Sequence, residues 1–163
     1  RSVVDISNET MARLSKIPNI VGVKDATGDL ARPADLKDKV GPDFIQLSGE
    51  DATVIEFLEA GGHGCISVTS NIAPALCAQL HNAWIIGDFD KARAINETLM
   101  PLHQALFVEP NPTPAKYALQ ALGLCRDEMR LPLIPATQKC RALIDEALAQ
   151  VGLLPATKQE AHG

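Results

Sequence analysis

Aromatic side chains are scarce in this chain: one Trp, one Tyr and four Phe make up 4% of its 163 residues. That leaves no stacking platform for nucleic-acid bases. Positive charge is not in excess either, with 15 Lys and Arg against 20 Asp and Glu and a formal net charge of -5. A chain without a basic cluster has no electrostatic footprint for a phosphate backbone, which excludes a nucleic-acid partner. No stretch approaches the roughly 18 apolar residues of a membrane span. The opening RSVVDISNET lacks the basic-then-apolar layout of a secretory signal, so a cytoplasmic address and no membrane partner are expected. Cys65, Cys77, Cys125 and Cys140 stand far apart, with no C-x-x-C pair and no histidine at zinc spacing. Neither a metal site nor a redox motif is visible, and the four read as buried, reduced thiols.

What is present is a hydrophobic fraction of 46%, ample for a core. Three short apolar runs, 20–23, 44–47 and 65–68, are each preceded by Gly, Pro or Asn and read as strands. Helical spacing fills the intervals: Met11, Leu14 and Ile17 over 8–17, Leu30, Leu36 and Val40 over 29–40, and Val54, Ile55 and Leu58 over 52–60. Strands separated by a single helix must run parallel, because the crossover returns the chain to the same end of the sheet. The strand ends Lys24, Ser48 and Thr69 recur at intervals of 24 and 21 residues, a regularity that suits a (β/α) barrel better than an open sheet. The fold class expected is therefore α/β, with three parallel strands and their helices followed by a helical region.

Past residue 68 the pattern is wholly helical. Asn71 is expected to cap a helix whose first turn holds Pro74 and which ends near Gly87. The next helix carries Ala92, Ile95, Leu99, Leu102 and Leu106 at steps of 3, 4, 3 and 4, a continuous stripe that fits either packing within the chain or a subunit interface. Glu109-Pro110-Asn111-Pro112-Thr113-Pro114 holds three prolines in five positions and is expected to be a stiff extended loop. A helix from Pro114 should close at Gly123, and a last helix presents Cys140, Leu143, Ile144, Ala147, Leu148 and Val151 on one face. The boundaries expected are 1–88 for the strand-bearing part, 89–154 for the helical region and 155–163 for a polar, frayed tail.

Lys24 is the residue with chemical potential. At the carboxyl end of an apolar strand it would face a desolvated barrel mouth, where burial favours the neutral amine that attacks carbonyls and forms Schiff bases. Equally, Lys24 can pair with Asp25 or extend to the rim, and spacing alone leaves both open. The loops Ser48-Gly49-Glu50-Asp51 and Thr69-Ser70-Asn71 would border it. Gly49 either admits a small ligand close to the backbone or serves a tight turn. Ile66 either shapes an apolar pocket beside the lysine or fills core. Gly61-Gly62-His63-Gly64 precedes a strand instead of opening a helix, so it reads as a connection and not as a phosphate loop. His63, His81 and His103 have no partner pattern that marks a catalytic pair.

Four motifs in order, Gly22-Val23-Lys24-Asp25-Ala26-Thr27-Gly28-Asp29, Leu47-Ser48-Gly49-Glu50-Asp51, the segment 61–71 and Leu106-Phe107-Val108-Glu109-Pro110-Asn111-Pro112-Thr113-Pro114-Ala115-Lys116, resemble the dihydrodipicolinate synthase (4-hydroxy-tetrahydrodipicolinate synthase) family over 1–154. The last motif separates it from sister lyases such as N-acetylneuraminate lyase, which share mainly the lysine strand. The resemblance implies the C-terminal part of a TIM (β/α)8 barrel followed by a C-terminal helical region. It implies a class I mechanism in which Lys24 condenses with pyruvate and the enamine attacks aspartate semialdehyde, in lysine and diaminopimelate biosynthesis. It also implies Arg1 as ligand of the semialdehyde carboxylate, Gly49 and Ile66 as lining of the pyruvate pocket, no metal or organic cofactor, and a homo-oligomer, dimer or tetramer.

In the family a tyrosine just before Arg1 and N-terminal threonines that contact pyruvate complete the site. None is in this sequence, and three strands fall short of the eight that close a barrel. The isolated chain is therefore expected to be a fragment, inactive or poorly folded, of a product that extends upstream. Two alternatives remain: another pyruvate-dependent class I aldolase or dehydratase acting on a sugar acid, and a non-catalytic remnant that keeps the helical region for oligomerisation.

Overall fold

The computed structural model describes residues 4–154, and the chain divides into two compact units, Arg1–Ser67 and Val68–Gly163. Arg1 and the tail 155–163 lie outside the described residues.

The first unit alternates helix and strand: α1 (Asn8–Leu14), β1 (Gly22–Asp25), α2 (Arg32–Val40), β2 (Ile45–Ser48), α3 (Val54–Glu59) and β3 (Gly64–Cys65). Its sheet has the order β1-β2-β3, with both pairings parallel as the crossover argument requires. Ser7 starts α1 in an extended conformation and its side chain accepts the Thr10 amide, satisfying a donor that the first helical turn leaves over. The helix expected from 29 begins only at Arg32. Asp29 Oδ1 accepts the Ala31 amide at 3.0 Å, so a local side-chain turn competes successfully with helix there. The third strand is shorter than 65–68, since only Gly64 and Cys65 pair with β2.

Pleating sorts the side chains. Registers Gly22↔Ile45, Lys24↔Leu47 and Leu47↔Gly64 put these residues on one face, while Val23, Gln46 and Ser48 take the other. The second face is covered: Val23 packs on the cluster Met11, Leu36 and Phe44, and Gln46 Nε2 donates to the Pro33 carbonyl at 2.9 Å. The first face is open, with Ile45 43% exposed. Gly61-Gly62-His63-Gly64 is the tight helix-to-strand connection expected: a side chain at Gly62 would run into the Phe57 ring, and His63 Nδ1 accepts the Gln46 amide at 3.1 Å.

The second unit holds a 3-10 turn (Thr69–Asn71), α4 (Pro74–Ile85), α5 (Phe89–Ala105), α6 (Thr113–Ala121) and α7 (Gln138–Gln150). Its core is aliphatic, with Leu80, Leu99, Leu102, Leu106, Ile144 and Leu148 fully buried. The α5 stripe is thus core: α4 and α7 pack on it, and Ala92, Leu99, Leu102 and Leu106 have no exposed surface left for another subunit. Truncating Leu102 to alanine should cost about 2–5 kcal/mol of unfolding free energy, read by urea denaturation, because a rigid helical core collapses incompletely around the lost volume.

Three expectations are corrected here. Asn71 is not a helix cap. It ends the 3-10 turn, where its Nδ2 donates to the Val68 carbonyl, and α4 starts at Pro74 with no side-chain cap. The proline-rich segment is not extended but folds into bends and turns between α5 and α6, because proline restricts φ to a value that turns also use. Glu109 ties it down: Thr137, the N-cap of α7, donates its hydroxyl to Glu109 Oε1 at 2.5 Å and accepts the Cys140 amide at 3.2 Å. The cysteines are not uniformly buried, since Cys77 and Cys140 are, Cys65 is half-buried and Cys125 is exposed. Burial first, and then the Glu109 carboxylate, push the Cys140 thiol up to about 11, which keeps it protonated and unreactive at neutral pH. Gly123 does end α6 in the left-handed conformation, φ 74°, as expected. Among the described residues no helix is long and apolar enough to cross a membrane.

Candidate functional site

Lys24 sits on the open face of β1, one residue from the strand's carboxyl end, and is exposed. The desolvated surroundings expected of it are not formed by these three strands, which cover only their helix-facing side. Its neighbour Asp25 points to the other face and is committed there. Thr27 donates its amide (2.8 Å) and hydroxyl (2.6 Å) to Asp25 Oδ1, and Arg32 Nε donates to Oδ2 at 2.8 Å. The Lys24 side chain makes no hydrogen bond or ion pair among the described residues.

Gly49 lies against the lysine. A Cβ at this position would stand 2.7 Å from Lys24 Cε and 2.7 Å from Ala26 Cβ, so only glycine leaves room for the lysine stem to lie across the chain. The approach is enforced by hydrogen bonding that continues past the strands: the Gly49 amide donates to the Asp25 carbonyl at 2.6 Å and the Ile66 amide to the Ser48 carbonyl at 2.8 Å. Ile66 follows Gly64 by two residues, and its side chain is 48% exposed. Three of the four residues singled out, Lys24, Gly49 and Ile66, are therefore gathered at the carboxyl ends of adjacent strands. The fourth, Arg1, lies outside the described residues. Thr69, Ser70 and Asn71 belong to the second unit, where Thr69 is buried with its hydroxyl 2.7 Å from His103 Nδ1.

Two supporting features escaped the sequence reading. Asp51, only 3% exposed, accepts a hydrogen bond from the Ser67 hydroxyl and so joins the loops after β2 and β3. Arg32 bridges Asp25 and Asp5, both at 2.8 Å. Neither carries a local signal, because each partner is a lone polar residue whose mate is 7 to 27 positions away.

Burial pushes the Asp25 carboxyl up, but the Thr27 and Arg32 contacts outweigh it and hold the group below its ordinary value of 3.8. A carboxylate with a depressed native pKa adds stability above its unfolded value, and that stability disappears as pH falls through the native one. Asp25→Asn should therefore lower stability at pH 7 and flatten its loss below about pH 4, checked by urea titrations across pH 2–7.

A parallel sheet with helices on one face, and a lysine near a strand's carboxyl end, define an α/β fold. The chain belongs to the dihydrodipicolinate synthetase family, whose profile matches residues 1–151. Among its relatives, 4-hydroxy-tetrahydrodipicolinate synthase of Rhodospirillum centenum is 58% identical over 154 residues, covering 94% of this chain and 53% of that protein. The synthase of Gluconobacter oxydans is 54% identical over the same length, covering 94% of this chain and 52% of its own. The dihydrodipicolinate synthase structure from Thermotoga maritima superposes with TM-score 0.90 at 39% identity, covering 94% of this chain and 54% of that one. The enzyme from Acinetobacter baumannii, solved in complex with pyruvate, gives 0.88 at 42% identity, with 93% and 52% covered. The chain thus spans about half the length of the curated relatives it matches.

Proposed function

We propose that the full-length protein condenses pyruvate with L-aspartate 4-semialdehyde to give 4-hydroxy-tetrahydrodipicolinate, the step that commits carbon to lysine and diaminopimelate. The observation that carries this reading is the Lys24 stem lying against Gly49 at the strand mouth, in a chain that belongs to this family. In this reading the Lys24 amine adds to the pyruvate carbonyl and water leaves, forming an imine. Loss of a methyl proton gives the enamine, whose carbon bonds to the aldehyde carbon while the aldehyde oxygen takes up a proton. The amino group of the semialdehyde then attacks the imine carbon, closing the ring and returning Lys24 as the free amine. Ile66 supplies an apolar wall, and the missing Cβ of Gly49 leaves space for pyruvate beside the backbone. Arg1 is assigned to the carboxylate of the semialdehyde, which a guanidinium fork matches in shape and charge.

The fold that supports this chemistry is the C-terminal part of a TIM (β/α)8 barrel, with 1–88 contributing strands and helices and 89–154 the helical region. We also infer a homo-oligomer, whose absence would show as a stable, active monomer in light scattering.

Borohydride reduction in the presence of pyruvate tests the central step. The full-length protein should gain one reduced pyruvyl adduct, located on Lys24 by peptide mass. A folded, full-length protein that gains no adduct there overturns the assignment.

A further inference from the structure

Pairing between β2 and β3 stops at Ser48↔Cys65, yet one further backbone bond, from the Ile66 amide to the Ser48 carbonyl at 2.8 Å, carries the register past it. Continued by that residue, the register sets Ile66 opposite Gly49, while on its other side Gly49 faces Ala26 and the Lys24 stem. Neighbouring strands stand about 4.8 Å apart. With no Cβ on Gly49, a narrow slot therefore lies between the lysine and Ile66, whose side chain is the far wall. That wall is 48% exposed, so packing alone does not fix it.

Just past the wall the chain is held by a side chain: Ser67 donates its hydroxyl to Asp51 Oδ1. Asp51 is a firm anchor. It is only 3% exposed, and its carbonyl accepts the Val54 amide at 3.3 Å where α3 begins. That helix in turn buries Val54, Ile55, Phe57 and Leu58. The loop after β2 thus sets both sides of the slot, Gly49 by its missing Cβ and Ile66 through the neighbouring Ser67. We propose that Asp51 and Ser67 are positioning residues for the size of the 2-oxo acid: their hydrogen bond keeps Ile66 close enough to Gly49 that the slot accepts the methyl group of pyruvate and refuses a longer chain. The inference rests on the pyruvate-condensation reading and assigns neither Asp51 nor Ser67 a contact with substrate.

Competition trapping on the full-length protein tests this. Pyruvate and 2-oxobutyrate, which is one methylene longer, are offered together at equal concentration with borohydride, and the two reduced adducts on Lys24 are separated by peptide mass. Their ratio is taken within one sample, so a partly unfolded variant loses both adducts alike and leaves the ratio unmoved. Wild type should favour pyruvate about tenfold or more, the discrimination that one methylene brings in a rigid apolar pocket. Ser67→Ala should cut that preference about fivefold, and Asp51→Ala equally, since either removes the same hydrogen bond. Ser67→Thr keeps the hydroxyl and should stay within about twofold of wild type. Ile66→Ala should cut the preference at least as far as Ser67→Ala, and adding Ser67→Ala to it should change little more, because both act on one wall. The proposal is overturned by a wild type that traps both acids equally, by an unchanged ratio in Ser67→Ala, or by Ser67→Ala lowering the ratio as much beside Ile66→Ala as it does alone. In each of those cases a pyruvate adduct on Lys24 leaves the condensation reading standing. If wild type gives no adduct there, the condensation reading fails and the proposal fails with it.

Discussion

Lys24→Ala in the full-length protein is expected to abolish the pyruvate adduct and to lower kcat/KM on the order of 10³-fold or more, while unfolding free energy stays within about 0.5 kcal/mol of wild type. The two halves of this result have separate causes. In the proposed reaction the amine is the group that bonds to the carbonyl carbon, and nothing in water replaces it at comparable effective concentration. Its contribution to folding is small because the side chain is exposed and makes no ion pair or hydrogen bond among the described residues. Arginine at this position should not rescue turnover, since a guanidinium stays protonated. A structural lysine behaves in the opposite way, losing stability and sparing carbonyl chemistry. Turnover and urea denaturation of the same variant decide between them.

Gly49→Ala should lower turnover about 10²-fold, by misplacing the lysine and not by removing it. The backbone at Gly49 is one that alanine adopts, so the cost is purely steric. The new methyl meets two groups at 2.7 Å, and they respond differently. Lys24 Cε is the far part of a flexible stem and swings aside cheaply, taking the amine with it. Ala26 Cβ is fixed to the backbone, so the neighbouring strand ends must part, at a cost of about 1–3 kcal/mol. Adding Ala26→Gly removes the rigid collision alone. The double variant should regain most of the lost stability while turnover stays low, because the displaced stem remains. Recovery of both together would show that the glycine serves only the turn.

The alternation of helix and strand, the parallel sheet and the apolar stripe of α5 were all legible in the sequence, because each follows from periodicities and connection rules that act locally. Strand and helix ends were less so. At α2 the Asp29 side chain competes for the amides that would begin a helix, and at α4 the position of Asn71 suggested a cap that the 3-10 turn uses otherwise. The proline-rich segment misled for a related reason: three prolines fix φ, but ψ is chosen by partners such as Thr137, which lies 28 residues beyond Glu109.

Lys24 could be singled out from its place in the chain, but whether it pairs with Asp25 could not. Alternation put the two on opposite faces, and the partners that claim the carboxylate, Thr27 and Arg32, are chosen by how the following turn folds back. Gly49 was likewise ambiguous between turn and pocket, and the register of β1 on β2 is what lays the lysine stem over it. By itself the sequence determined the residue types, the order of elements and the strand end at which an amine stands, all properties of neighbours along the chain. The tertiary structure alone decided which distant groups meet: Lys24 with Gly49, Ser67 with Asp51, and Arg32 with Asp5 and Asp25. Such meetings depend on sheet register and helix placement, set by burial summed over a whole unit, and no short stretch of sequence contains that sum.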